Sequence, residues 1–318
     1  MKFTHIYQIP FTGLGLHGGY RGDQWLKNRI KIFKLYPLQS LLSQEGEKIL
    51  WFQWRPEEES NPIVKEFIEF LNKIINLKHV HTFGGITFWD DKYEEEIAKS
   101  RLRNSLKVSL PKLEFINSDY VLLTIQPSDD MYLKDAQKEI QAKFRELLVG
   151  GDTKQSVGWK GGYIMNYATK EIAEYSTHGW KTDHVSTYHT DTIPPFFTIS
   201  FSREEFLDPI KHYDHIGPYK SHEFIGDVTK YTELKGRGFI VGTHGENIST
   251  TFTHRYKGRT LAKEEAEKIF VDLGIYHSEP IRIRLSFRMM IRKMINVFPF
   301  SNSLKKLYYL LPGKYRII

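Results

Sequence analysis

YVLLTIQPSDDMYLKDA, residues 120–136, is the stretch on which the reading of this chain turns. Tyr120 to Ile125 is an unbroken apolar run of strand length, as expected for a core strand. Ser128, Asp129 and Asp130 follow at once, and a helical pattern is predicted over 132–148. In α/β folds, ligands bind just past the carboxyl ends of strands. Two adjacent carboxylates repel each other unless a hard divalent cation such as Mg²⁺ sits between them and a diphosphate. The same Ser-Asp-Asp is also a good helix start. Both readings, metal site and helix cap, stand at this point.

Around this stretch, strand and helix signals alternate through the first 150 residues. Phe3 to Phe11 alternates like a strand. Asp23 precedes a helix carrying Trp25, Leu26, Arg29, Ile30 and Phe33, and Pro37 should interrupt it before Leu38 to Gln44 resumes. Lys48 to Trp54 is a second strand, and Asn61-Pro62 opens a helix with a cap and a first-turn proline. Val80 to Phe88 reads as a short strand and Tyr93 to Leu106 as a helix. This alternation predicts an α/β layered domain with a mainly parallel sheet. After Gly150-Gly151 the pattern changes to short β-like pieces, such as 162–165 and 196–201, between polar, His-rich loops. Arg237 to Gly242 reads as one more strand, and 261–273 and 281–297 as helices.

The chain has 318 residues, 40% hydrophobic and 14% aromatic, enough for a sizeable core. There is no cysteine, which removes disulfides, thiolate metal sites and cysteine nucleophiles and fits a reducing cytoplasm. The first residues, Met1-Lys2-Phe3-Thr4-His5, lack the apolar core of a signal peptide. No window reaches the roughly 18 apolar residues of a spanning helix. The net charge is +7, but residues 281–318 carry nine cations and no acid. The rest of the chain is slightly acidic, so no nucleic-acid partner is expected.

Other motifs weigh less. Gly13-Leu14-Gly15-Leu16-His17-Gly18 matches G-x-G-x-x-G, but no helix opens on its last glycine and no acid follows at ribose distance, so a flexible glycine loop is favoured. His212, His215, His184 and His189 have no zinc-protease spacing. Trp159, Tyr163, Trp180 and Tyr188 suit sugar stacking or satellite core.

Arg101-Leu102-Arg103-Asn104-Ser105-Leu106, followed by the 120–130 strand ending in Ser128-Asp129-Asp130, resembles the middle of a GT-A glycosyltransferase. There an Arg-Asn pair precedes a strand ending in D-x-D or D-x-D-D. Arg29, Pro37-Leu38-Gln39-Ser40-Leu41 and Gln44 are similar to the helix "R…LF…LPSL…Q" of a rhamnosyltransferase-like family within that group. Phe239 to Ser249 is similar to its strand ending in "HG-x-N-x-S". The resemblance covers about residues 3 to 255, with one departure: Pro127 stands where the first acid of D-x-D belongs.

The resemblance implies a GT-A-like single mixed, mainly parallel sheet flanked by helices. Residues 1–255 would form that domain, with 1–150 on the nucleotide-sugar side and 151–255 on the acceptor side. Residues 256–318 would form a helical extension, basic from 281. The implied activity is sugar transfer from a nucleotide-diphosphate sugar to a glycan or lipid-linked glycan hydroxyl. Asp129, Asp130 and His244 would hold Mg²⁺ or Mn²⁺, and Arg101, Arg103, Asn104 and Ser128 would lie on the donor side. Inverting transfer needs a carboxylate to deprotonate the acceptor, and such an acid commonly lies about 90 residues past the D-x-D. Glu223 is the first candidate, Asp227 the second and Asp183 the third; taken singly, each is more often an exposed loop acid or a helix cap. A degenerate, non-catalytic glycan- or nucleotide-binding protein is the alternative that Pro127 suggests. The basic tail, with Ile283, Phe287, Met290, Ile291 and Met294 able to share a face, suits an anionic membrane surface. The implied location is cytoplasmic, peripheral at the inner face of a membrane.

Overall fold

The computed structural model describes residues 1–12, 14–15, 22–87, 95–179, 193–216, 222, 225–244, 252 and 257–276. The basic segment from 281 onward therefore lies outside the described residues, as do most of the glycine loop after Thr12 and the predicted 281–297 helix.

In the first half, strand β1 (Phe3–Ile9) and the two-residue β2 (Leu14–Gly15) lead to helices α1 (Asp23–Leu35) and α2 (Pro37–Ser43). Strand β3 (Lys48–Gln53), helix α3 (Pro62–Asn72), β4 (Lys78–Thr82), β5 (Ile86–Thr87) and α4 (Glu95–Ser109) follow. Then come β6 (Tyr120–Ile125), β7 (Met131–Tyr132) and α5 (Ala136–Leu147). The second half holds β8 (Gln155–Gly158), β9 (Gly161–Asn166), β10 (Ile172–Ser176) and β11 (Phe197–Ser202). It continues with helices α6 (Arg203–Leu207), α7 (Pro209–Ile216) and α8 (Ile225–Val228). Strands β12 (Lys230–Glu233), β13 (Phe239–Thr243), β14 (Lys257–Thr260) and helix α9 (Lys263–Asp272) complete it.

Among the described residues the main sheet has seven strands in the order β12-β8-β11-β6-β1-β3-β4. Only β11 runs against its neighbours. The expected mixed, mainly parallel sheet flanked by helices is therefore present. Beside it lies a five-stranded sheet, β14-β10-β9-β13-β7, and a small β2-β5 pair. Six carboxyl ends of the main sheet, including those of β1, β6 and β12, fall on one edge.

The apolar run of β6 follows from its central position. Leu122 joins the cluster built by Phe33, Phe52 and Phe67 on one face, while Val121 and Leu123 join Trp51 and Phe206 on the other. Both faces are covered, so no polar alternation appears. Full burial of each such leucine stabilises the fold by about 2 kcal/mol. Helix α1 docks through Phe33, whose ring meets Phe11, Phe52 and Phe67 at 5.3, 5.5 and 5.8 Å. Helix α3 starts where the sequence predicts: the Asn61 side chain accepts from Ile63 N–H at 2.9 Å, and Pro62 takes the first turn. The two large sheets meet where Phe196 and Phe239 stack at 3.8 Å.

The 132–148 helix prediction requires correction. Helix α5 begins only at Ala136, with Asp135 before it. Met131 and Tyr132 are instead strand β7, antiparallel to β13. Helix α2 is the reason. Ser40 Oγ donates to the Tyr132 carbonyl at 2.6 Å and accepts from the Tyr132 N–H at 3.0 Å. Gln44 Nε2 donates to the Leu133 carbonyl, and Gln44 Oε1 accepts from Gln137 N–H. With its own N–H and C=O taken by Ser40, Tyr132 makes no helical bonds.

Candidate functional site

Because the helix starts at Ala136, Asp129 and Asp130 do not cap it. They occupy the turn past β6, on the ligand edge of the sheet. Gln126, fully buried, fixes that turn by donating to the carbonyls of Pro127 and Asp130 at 2.8 and 2.7 Å. Asp130 N–H closes it onto the Pro127 carbonyl at 3.3 Å.

Three elements, α1, β9 and β13, deliver three side chains and one backbone amide to this turn. Arg29 lies on the buried face of α1, one turn from Leu26 and Phe33, and its Nη1 pairs with Asp129 Oδ2. His244, directly after β13, brings Nε2 to 3.1 Å from the same oxygen. Tyr167, following β9, donates its hydroxyl to the Asp129 carbonyl at 2.6 Å. Gly242, in β13, gives its N–H to Asp130 Oδ1 at 2.8 Å. A Cβ at Gly242 would run into the Asp129 carbonyl and the Tyr167 hydroxyl, so only glycine lets β13 approach this closely. The Arg29 and Asp129 side chains are 10% and 15% exposed and that of His244 2%.

The two carboxyl groups are driven apart. Burial pushes Asp129 upward, but the Arg29 guanidinium and then His244 overcome it and hold the group below the ordinary carboxylate range. Burial, and next the Asp129 charge, push Asp130 well above that range, against the Gly242 amide and Arg29. The pair therefore favours a charge on Asp129, which carries the guanidinium, over one on Asp130. Burial likewise pushes the Tyr167 phenol upward.

Asp129, Asp130 and His244, read from the sequence as metal ligands, come to one place, but not as a cage. Asp129 Oδ2 already meets both Arg29 and His244, and Asp130 Oδ1 takes an amide. Among the described residues no group of three or more His, Cys, Asp or Glu side chains converges as a metal site. A Mg²⁺ or Mn²⁺ ion seated on Asp129 would sit beside the guanidinium. At about 4 Å and an effective dielectric of about 20, that repulsion is on the order of 8 kcal/mol. The donor set does not fit the ion.

Other predicted positions lie elsewhere. Ser128 is buried in the turn itself. Arg101 and Asn104 lie on α4. Arg103 pairs with Asp214 at 3.0 Å and lies 4.9 Å over the Tyr213 ring, tying α4 to α7. Asp227 is half-buried in α8. Glu223 and Asp183 lie outside the described residues, as do Trp180, Tyr188, His184 and His189. Trp159 is wholly buried core. His212 and His215 bond the carbonyls of Phe206 and Ser200, so they are packing groups.

Two features escape a reading of the sequence. Arg29 is visible as part of a motif, but nothing in its spacing points to Asp129, 100 residues away. The second is a charged cluster at the end of β12, where Glu233 Oε1 lies 2.5 Å from His178 Nε2 and Oε2 3.6 Å from Lys160 Nζ. Ser176 Oγ meets His178 Nδ1 at 2.8 Å. Glu233 shares the ligand edge with Asp129, three strand spacings of about 4.8 Å from β6.

No family model matches the chain, and no curated protein does. Among solved structures it is similar to S. aureus TarS 1–349, at 13% identity and TM-score 0.34, over 76% of this chain and 60% of that one. TarS 1–349 in complex with UDP aligns at 12% identity and TM-score 0.36, over 99% of this chain and 76% of that one. HddC from Yersinia pseudotuberculosis aligns at 16% identity and TM-score 0.32, over 76% and 90%. The chain thus spans 60% of the length of the TarS chain in the first of these. At such identities and TM-scores the likenesses assign no residue a role.

Proposed function

We propose that this chain is a GT-A-type glycosyltransferase, moving a sugar from a nucleotide-diphosphate sugar to a hydroxyl of a glycan or lipid-linked glycan. One observation carries the reading: a cationic and a donor group, Arg29 and His244, converge with Asp129 on the ligand edge of a mainly parallel sheet. That is where an α/β enzyme receives a phosphorylated ligand, and the order of motifs along the chain supports the same class. The donor sugar that the resemblance implies is a hexose or a deoxyhexose such as rhamnose.

In the reaction, the acceptor oxygen bonds to the anomeric carbon. The bond from that carbon to the β-phosphate oxygen breaks with its electron pair on the diphosphate. A base takes the acceptor proton. Glu223 and Asp183 keep their candidacy from the sequence, as does Asp227. Glu233 with His178 joins them as an acid–base pair on the ligand edge, its carboxylate oriented by Lys160. The Mg²⁺ or Mn²⁺ implied by the resemblance does not fit Asp129, Asp130 and His244, whose oxygens and nitrogen are already engaged with Arg29, one another and the Gly242 amide. We assign the tail from 281 to an anionic membrane surface, which suits a lipid-linked acceptor and a cytoplasmic, peripheral location. No helix among the described residues is long and apolar enough to cross a membrane.

The test is a panel of nucleotide sugars incubated with the protein, with and without glycan acceptors, reading release of nucleoside diphosphate. Turnover with one donor, lost in Asp129→Asn, supports the reading. Sugar or nucleotide binding without turnover would instead establish the non-catalytic alternative, which Pro127 motivates. Neither binding nor turnover across the panel would sink both.

A further inference from the structure

We propose that the diphosphate site of this chain works without a divalent metal, because Arg29 already supplies the positive charge that such an ion would bring to Asp129. The proposal rests on the nucleotide-sugar reading and deepens it.

The electrostatic role of a metal at a D-x-D site is to stand between carboxylates and a diphosphate that would otherwise repel each other. That role needs an excess of negative charge in the protein, and three observations remove the excess. Pro127 stands where the leading acid would be. Arg29, 8% exposed and carried on a helix packed against the sheet, pairs directly with Asp129 Oδ2. His244 adds a second nitrogen on the same oxygen at 3.1 Å. Asp130 turns one carboxyl oxygen to the Gly242 amide, a neutral donor. The Asp129–Arg29 pair sums to no charge, so a bound diphosphate meets a paired carboxylate there rather than a bare one.

The Arg29 position is built in. It shares the core face of α1 with Leu26 and Phe33, and its guanidinium sits 5.4 Å from the Trp25 ring. Its Nε has no hydrogen-bond partner among the described residues. A buried guanidinium with an unsatisfied nitrogen is retained at a cost, and charge balance at Asp129 offsets it. Arg29 acts through Asp129 and is a positioning residue.

The experiment uses the full chain and three probes, UDP, GDP and dTDP, titrated calorimetrically in EDTA and again in excess MgCl₂ or MnCl₂. The expected result is one nucleotide whose Kd agrees within about twofold in the two conditions. Mn²⁺ paramagnetic resonance, with and without that nucleotide, should show no protein-bound ion in the wild type. In Arg29→Gln, metal-free affinity should fall about tenfold or more and return with Mn²⁺, now visible as a bound ion. Binding tightened about tenfold or more by metal in the wild type, or a bound Mn²⁺ signal there, would overturn the proposal and leave the glycosyltransferase reading standing. If none of the three nucleotides binds with or without metal, the nucleotide-sugar reading fails and the proposal falls with it. The wild-type titrations decide the matter even if Arg29→Gln does not fold.

Discussion

Among individual residues, the Arg29–Asp129 pair decides how the site behaves. Both side chains are largely withdrawn from water. Removing one partner of such a pair leaves the other charge buried and unbalanced, which typically costs about 3–5 kcal/mol, whereas removing both is far milder. Asp129→Asn and Arg29→Gln should each lower unfolding stability by about 3 kcal/mol, and the double variant by less than their sum. Urea unfolding of the four proteins in the cycle measures the coupling, and additive losses would show that the pair does not hold the turn. The sequence shows both residues but not their pairing. A helix face reports only that position 29 points inward, and an arginine there looks like an error of amphipathicity until its partner is known. Asp129 and Asp130, by contrast, are legible as a site because strand ends in α/β folds face ligands. What stays hidden is their environment, since charge pairing and burial are tertiary properties.

Among the elements, two short pieces set the geometry. Strand β7 is two residues long and has no sequence signal of its own; it exists because Ser40 and β13 claim the backbone of residues 131 and 132. Sequence pattern alone carries the α5 helix back over it because Met131, Tyr132 and Leu133 continue the apolar spacing. Strands β8, β10, β12 and β14 escape for a related reason: four or five residues of mixed polarity do not reveal a period. The long elements β1, β3, β6, α1 and α3, each anchored by a large apolar face or a clear cap, are legible to within a few residues. Asn61→Ala tests the cap directly. It should cost about 1 kcal/mol in urea unfolding without touching nucleotide binding, since α3 packs into the Phe33, Phe52 and Phe67 cluster and not against Asp129. Gly242→Ala tests the strand that brings His244. The added methyl meets the Asp129 carbonyl and Tyr167 hydroxyl. It should destabilise by about 1–3 kcal/mol and displace His244. Nucleotide affinity then falls with stability, and unchanged affinity would show that the close approach of β13 is not needed for the site.

For the molecule as a whole, the layered fold follows from a strand–helix alternation that runs through the first half of the sequence, while its response to acid depends on imidazoles that only the packed structure identifies. His5 is fully buried in the sheet, and burial, with Lys48 nearby, lowers it to about 3. Burial and then His79 lower His81 to about 3. Burial lowers His212 to about 4, against the opposing Phe206 carbonyl bond. Each is neutral in the fold and takes up a proton on unfolding once the pH drops below about 6.5. The unfolded chain then binds more protons, so the stability these groups contribute is complete above that pH and is lost as pH falls toward about 4 and 3. With all three titrating, the slope approaches about 4 kcal/mol per pH unit between roughly pH 5.5 and 4.5. Asp130 works in the opposite direction. Its raised carboxyl is destabilising above the ordinary carboxylate range and gives that back as pH falls through its raised value, but it is one group against three. Asp129, held low, adds a further loss only below about pH 4. Thermal unfolding followed by circular dichroism at about pH 7.5, 6.5, 5.5 and 4.5 should therefore show a midpoint steady between the first two and falling steeply over the last two. A midpoint that is flat to about pH 4.5 would mean that these imidazoles are protonated in the folded chain, and that the bonds of His5 to Thr124 and of His81 to Trp54 are not as described.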